Sequence, residues 1–155
     1  MKIDSIGQVH AENGTFQLQI QPQYQKGLED LQNFSHIQLL WWGHHSDTEE
    51  LRQTLTCTNP YHGGPDTLGV FATRSPFRPN PLLLSIVEIQ SIDVEKGVIS
   101  LYWVDAEHGT PILDIKPYLP CSDRVKNSRV AEWCQNWPEW YEDSAHFDWS
   151  KVLVY

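Results

Sequence analysis

Arginine, proline and asparagine are concentrated in one short stretch, GVFATRSPFRPNPLLLS, from Gly69 to Ser85. Pro76, Pro79 and Pro81 fix φ and bias the residues before them towards extended backbone, so Arg74, Arg78 and Asn80 are presented at nearly fixed positions. A guanidinium forks onto the two oxygens of a carboxylate, and an amide matches the donor–acceptor edge of adenine. Arg74 therefore suits a ligand carboxylate, Arg78 a phosphate or carboxylate, and Asn80 a base edge. The alternative is a rigid surface turn whose arginines pair with local acids.

A second segment of the same character is HGTPILDIKPYLPCSD, from His108 to Asp123. Asp114 and Lys116 are two apart, so an extended backbone puts both on one face. They make a structural ion pair or, at a pocket mouth, bind a polar ligand. Lys116 suits a phosphate or carboxylate, Asp114 can take a proton from a reacting group, and Tyr118 lies beside them. Asn80, Asp114 and Lys116 are the candidate catalytic groups; Arg78, Asn80, Lys116 and Tyr118 are the candidate substrate contacts.

Other chemistries lack their signatures. His44 and His45 are adjacent, and on a strand they point to opposite faces, so they are not expected to chelate one ion. Ser75 and Ser85 carry no marker of an activated nucleophile, and no GxGxxG fingerprint is present. No metal site is expected.

The elements that must position these residues are mainly strands. Period-2 patterning predicts them over 2–9, 15–20, 35–42, 68–73, 82–92, 98–104 and 112–115. Asn13-Gly14 predicts a tight hairpin turn, and Glu95-Lys96-Gly97 a second. The fold class is all-β: a small closed or partly open barrel with short peripheral helices and a C-terminal helical segment. Residues 46–67 read as a long polar loop, a lid or simply mobile, with a brief helix capped by Asp47. Trp133, Trp137, Trp140 and Tyr141 have helical spacing interrupted by Pro138, predicting an apolar stripe packed on the barrel. The sharper alternative is a tryptophan wall for a stacked base. Residues 149–155 read as a last strand.

A length of 155 residues suits one domain, divided here into a motif-bearing core over 6–123 and an aromatic, acidic extension over 124–155. No run approaches a membrane span, the N-terminus lacks the apolar core of a signal peptide, and a cytoplasmic address follows. Cys57, Cys121 and Cys134 form no CxxC pair and are expected as reduced thiols. The net charge of −9 opposes simple attraction to a polyanion. However, residues 132–148 contain five acids and no lysine or arginine, leaving fifteen acids against eleven bases elsewhere.

ATRSPFRPNP with Ser85, the run GTPILDIKPYLP, and GLEDLQNFSHIQLLWW upstream together make the chain resemble the TrmO family, also called TsaA-like or YaeB-like. The resemblance implies a β-barrel that binds S-adenosylmethionine, dimerises, and methylates N6 of threonylcarbamoyl-adenosine beside the anticodon of tRNA. It places cofactor contacts at His44, His45, Arg74, Leu84 and the segment Pro111, Ile112, Leu113 and Asp114. The chain departs from the family by lacking a clear Pro-Arg-Gln element near the N-terminus. It also carries Leu82-Leu83 after RPNP where many members have Ile-Gly, and it lacks the second domain of longer members. Methylation of a small molecule, or cofactor binding without turnover, are the alternatives these departures leave open.

Overall fold

Alternation of apolar and polar residues builds the first hairpin of the computed structural model, which describes residues 2–154. Strands β1 (Gly7–Glu12) and β2 (Thr15–Ile20) are joined by Asn13 and Gly14, both left-handed at φ 52° and 76°, as a two-residue turn demands. Strand β3 (His36–Trp42) follows, then a two-stranded hairpin of β4 (Thr56–Thr58) and β5 (Thr67–Gly69). Strands β6 (Leu82–Asp93), β7 (Val98–Leu101) and β8 (Pro111–Pro117) complete the sheet.

Six strands close a barrel in the order β1-β2-β7-β6-β3-β8, with β8 pairing back onto β1 and every neighbour antiparallel. Closure removes the free edges of the sheet. Val9, Leu18, Ile37, Leu39, Val87, Ile99 and Ile112 fill the interior at 0% exposure. Each contributes about 1.5–3 kcal/mol by leaving water. Two bulges bend the wall: β6 shifts register between Ile89 and Ser91, and β8 shifts opposite Leu40 and Trp41, leaving Leu113 without a partner on β3.

Several sequence expectations need correction. The first strand begins at Gly7 rather than Lys2, and the strand expected over 68–73 ends at Gly69, where a 3₁₀ turn over Val70–Ala72 begins. The polar stretch 46–67 contains β4 and the helix α1 (Glu49–Arg52). Thr48, not Asp47, caps that helix, its hydroxyl accepting from the Leu51 N–H at 3.2 Å. Asp47 instead accepts from Trp42 Nε1 (2.9 Å) and Arg52 (3.0 Å), which hold its carboxyl below the usual range.

Beyond the short helix α2 (Pro120–Asp123), the C-terminal segment is a series of 3₁₀ turns rather than a regular helix. Pro138 cannot donate a helical hydrogen bond, and the tryptophans pack ring to ring instead of forming one stripe. Trp133 stacks on Tyr61 at 4.8 Å, while Trp137 meets Tyr61, Trp133 and Trp149 edge-on at 5.2–5.5 Å. The expected last strand is reduced to a bridge between Tyr61 and Leu153; Tyr155 lies outside the described residues.

Candidate functional site

Four chain segments, one of them the link between β7 and β8 with Asp105, Glu107 and Thr110, meet at one mouth of the barrel around a cavity of about 630 Å³. The end of β3 contributes Trp41 and the turn His44–Ser46, the arginine loop contributes Phe71 to Arg78, and the start of β6 contributes Leu82, Leu83 and Leu84. Barrel mouths are common ligand sites because strand ends converge there while the interior stays packed. Gly43 lets β3 and the arginine loop approach closely: its N–H donates to the Pro81 carbonyl at 2.7 Å. A Cβ at Gly43 would stand 3.2 Å from Leu83 Cδ1.

The two arginines of the loop have different partners. Arg78 donates to the carbonyls of Ser75 (2.6 Å), Thr73 (2.7 Å) and Val70 (3.2 Å), so its guanidinium ties the loop to itself. Arg74 is exposed, makes one long contact to the Leu84 carbonyl at 3.4 Å, and forms no salt bridge among the described residues. Arg74 therefore has donors available for a ligand, whereas Arg78 would have to release the loop. Asn80 Oδ1 accepts from Arg52 at 3.2 Å, and Arg52 also lies over the Trp42 ring at 5.8 Å. That network braces the far end of the loop.

Sequence reading missed the acids of the mouth. Asp105 and Glu107 come from the irregular link between β7 and β8, where no periodicity marks them; the signal available was two acids immediately after a strand. Trp41 Nε1 donates to Ser85 Oγ (2.9 Å), and Ser85 donates to Asp105 Oδ1 (2.6 Å), so a buried hydroxyl orients the carboxylate. His45 Nε2 lies 3.0 Å from Glu107. His44 and His45 sit in a turn rather than on a strand, and their rings come within 3.8 Å of each other. Both line the cavity, so the opposite-faces argument does not hold here. Among the described residues no His, Cys, Asp and Glu side chains cluster in a way that could hold a metal ion.

Of the sequence-predicted residues, His44, His45, Arg74, Arg78 and Leu84 come together at this cavity. Pro111, Ile112, Leu113 and Asp114 do not form its lining, which takes only Thr110 from the start of that segment. Ile112 is fully buried in the barrel core, on the inward face of β8. Asp114 accepts from Lys116 at 2.6 Å and from the Ile115 N–H at 2.9 Å, the structural pairing that their spacing allowed. Tyr118 lines a neighbouring cavity instead.

The cavity fits a zwitterionic ligand with an apolar planar part. Phe71, Leu82 and Leu84 expose 79%, 42% and 42% of their surface at its rim, a wall for a flat ring. Arg74 and Asp105 offer opposite charges on that same lining, and Asp105 keeps one oxygen beyond the one that Ser85 occupies.

Residues 6–124 match the family described as the tRNA-methyltransferase O N-terminal domain. A probable S-adenosyl-L-methionine-binding protein of Pyrococcus horikoshii is 44% identical over 117 residues, covering 74% of this chain and 80% of that protein. The tRNA (adenine(37)-N6)-methyltransferase of Escherichia coli is 35% identical over 127 residues, covering 81% of this chain and 53% of that enzyme. A crystal structure of TrmO from Pseudomonas aeruginosa superposes with a TM-score of 0.65 at 28% identity, over 85% of this chain and 61% of that one. The chain thus spans much of the archaeal protein's length and just over half of the bacterial enzymes' lengths.

Proposed function

Because the chain belongs to the family of tRNA-methyltransferase O N-terminal domains, we propose that it is an S-adenosylmethionine-dependent methyltransferase acting on N6 of an adenosine in tRNA. The acceptor of this reading is threonylcarbamoyl-adenosine beside the anticodon. The observation that carries it is the barrel-mouth cavity, where the free donors of Arg74 stand among apolar walls and an oriented carboxylate.

Arg74 binds the cofactor carboxylate through paired charge-assisted hydrogen bonds. Phe71, Leu82 and Leu84 take its adenine ring, and His44 and His45 supply hydrogen-bonding edges at the opposite wall. Asp105, held by Ser85, places negative charge beside the cationic part of the ligand. When bound, S-adenosylmethionine would supply a sulfonium methyl group, the S–C bond breaking with its electron pair left on sulfur as the N6–C bond forms and the N6 proton passing to solvent. The protein's contribution is then position, orientation and exclusion of water. Pro111 to Asp114, Asn80 and Lys116 stand outside the cavity lining, and this reading gives them no contact with cofactor or acceptor.

A second copy in a two-fold homodimer, we propose, covers exposed Phe77 beside the mouth and leaves the wall of Phe71, Leu82 and Leu84 to the cofactor. A sedimentation mass near 17.9 kDa for active protein would reject it. Each subunit is a single barrel domain with its extension, placed in the cytoplasm with its RNA. No helix is long and apolar enough to cross a membrane among the described residues.

Glu139 and Glu142 favour one second reading, methylation of a small molecule, because they place acids next to Arg74 where a polyanion would approach. Transfer of labelled methyl from S-adenosylmethionine into total tRNA or into a metabolite extract separates the two. Incorporation into tRNA is expected; label in the extract alone supports the second reading, and label in neither leaves only cofactor binding.

A further inference from the structure

A second cavity, of about 690 Å³, adjoins the first through a shared wall of Arg74 and Leu84. Its floor is the outer face of β3 and β6, where His36, Gln38, Leu84 and Ile86 point away from the barrel core. Its other walls are Tyr118 and residues 120–142, and everything after residue 124 lies beyond the stretch matched by the family. The size is that of a nucleoside or other drug-sized ligand, about 300–1,000 Å³.

The lining has the chemistry of a base-binding site. Arg124 stands 4.3 Å from the centroid of the Trp140 ring, forming a flat cation–π pair with Trp140 45% exposed. Tyr141 sets its ring edge-on to His36 at 5.7 Å and carries a phenol that burial pushes above its ordinary range, so it remains a hydrogen-bond donor. Arg124 and Lys126 form no salt bridge among the described residues, and Asp123 is engaged in accepting from the Leu119 N–H at 2.7 Å. With Arg74, Arg124 and Lys126 facing Asp123, Glu139 and Glu142, the lining is close to neutral. That balance suits one nucleoside with a single acidic arm and disfavours a run of phosphates.

We propose that this second cavity is the acceptor subsite, in which an unstacked purine nucleoside lies on the Arg124–Trp140 pair with an anionic substituent at Lys126. The inference rests on the tRNA-methyltransferase reading above. Its reactive edge then points past Arg74 and Leu84, the two residues the cavities share, into the cofactor cavity. A base reaches such a pocket only when taken out of its stack, as enzymes acting on bases require. The extension, not the barrel, thereby sets acceptor specificity.

The test uses the full chain and two anticodon stem-loops, one carrying N6-threonylcarbamoyladenosine and one carrying plain adenosine at the same position. Stacking on an aromatic contributes about 1–3 kcal/mol per base, roughly five- to 150-fold. Trp140→Ala should therefore raise KM for the modified stem-loop about tenfold or more, with Trp140→Phe restoring most of it. Lys126→Ala should remove the preference for the acidic nucleoside, and Arg124→Ala should weaken both RNAs. Calorimetric affinity for S-adenosylmethionine should stay within about twofold in all three, which also reports a folded barrel. Unchanged KM in all three variants of an active enzyme overturns the subsite alone. So does cofactor affinity falling in step with RNA affinity. Wild-type protein that transfers no methyl group to the modified stem-loop overturns the functional reading, and the subsite with it.

Discussion

In the barrel, seven aliphatic side chains at 0% exposure meet across strands that are hydrogen-bonded on both sides. In residues 125–154, none of the described residues is buried; aromatic rings and a few backbone hydrogen bonds hold the segment to the barrel and to the loop around Tyr61. The first region is fixed by packing that a single missing methylene disturbs. The second is fixed by flat contacts at its margins, leaving polar groups facing an open cavity. On the reading proposed above, stability and acceptor recognition are separated along the chain, and substitutions should sort accordingly.

The largest effect should come from the barrel. Leu39→Ala is expected to cost about 2–5 kcal/mol, the range for a buried leucine that leaves a cavity, read by urea unfolding. A loss below about 1 kcal/mol would mean that the barrel is not the stabilising unit. Next is Arg78→Ala, which removes a charged donor from three loop carbonyls; a loss of about 1.5–3 kcal/mol is expected by the same measurement. Arg74→Ala should leave unfolding unchanged and weaken S-adenosylmethionine binding roughly ten- to hundredfold. Equal calorimetric affinities for the variant and the parent would remove Arg74 from the site.

Trp137→Ala should cost about 1–2 kcal/mol, because three edge-on contacts of about 0.5–1.5 kcal/mol each are weakened by part-exposed surroundings. Its signature is local: faster amide exchange at His62 and Val154, whose N–H groups bond to Val152 and Pro60. Exchange unchanged at both would show that the rings do not hold this seam. The smallest effect concerns pH. Burial first, then the charges of Glu88, Asp105 and Glu142, raise the Tyr141 phenol above its ordinary value of 10.0. A raised folded value means this contribution is complete below the unfolded value and lost as pH climbs through the folded one. Stability should fall slightly above pH 10, and Tyr141→Phe should flatten that limb; an identical alkaline limb in the variant would contradict the assignment.

These regions also differ in how readily they are read from sequence. Phe16, Leu18 and Ile20 alternate with polar residues, and Asn13-Gly14 dictates its own turn, so β1, β2 and their register follow from local chemistry. The arginine loop was legible because three prolines leave little conformational choice. The tryptophan spacing suggested a helix, but ring-to-ring packing with Tyr61, some seventy residues earlier, decided the outcome, and such a contact has no periodicity. Strand β4 is three residues long and gains its identity only by pairing with β5. Asp105 escaped notice for a related reason: its importance comes from Ser85, twenty residues before it, on another element. Arg74 and Arg78 were indistinguishable by type, and only the carbonyls around them tell anchor from free donor.

The bridge from Tyr61 to Leu153 gives the extension a second point of attachment, the first being its exit from β8 near Tyr118. A chain pinned at both ends needs little internal structure to stay in place, since the closure entropy rises only slowly with the length between the pins. Residues 124–148 are in that sense an exchangeable cassette. Their composition can drift, lengthen or change sign without unseating the barrel, so relatives sharing one methyl donor could acquire new acceptors by rewriting a stretch of about 25 residues.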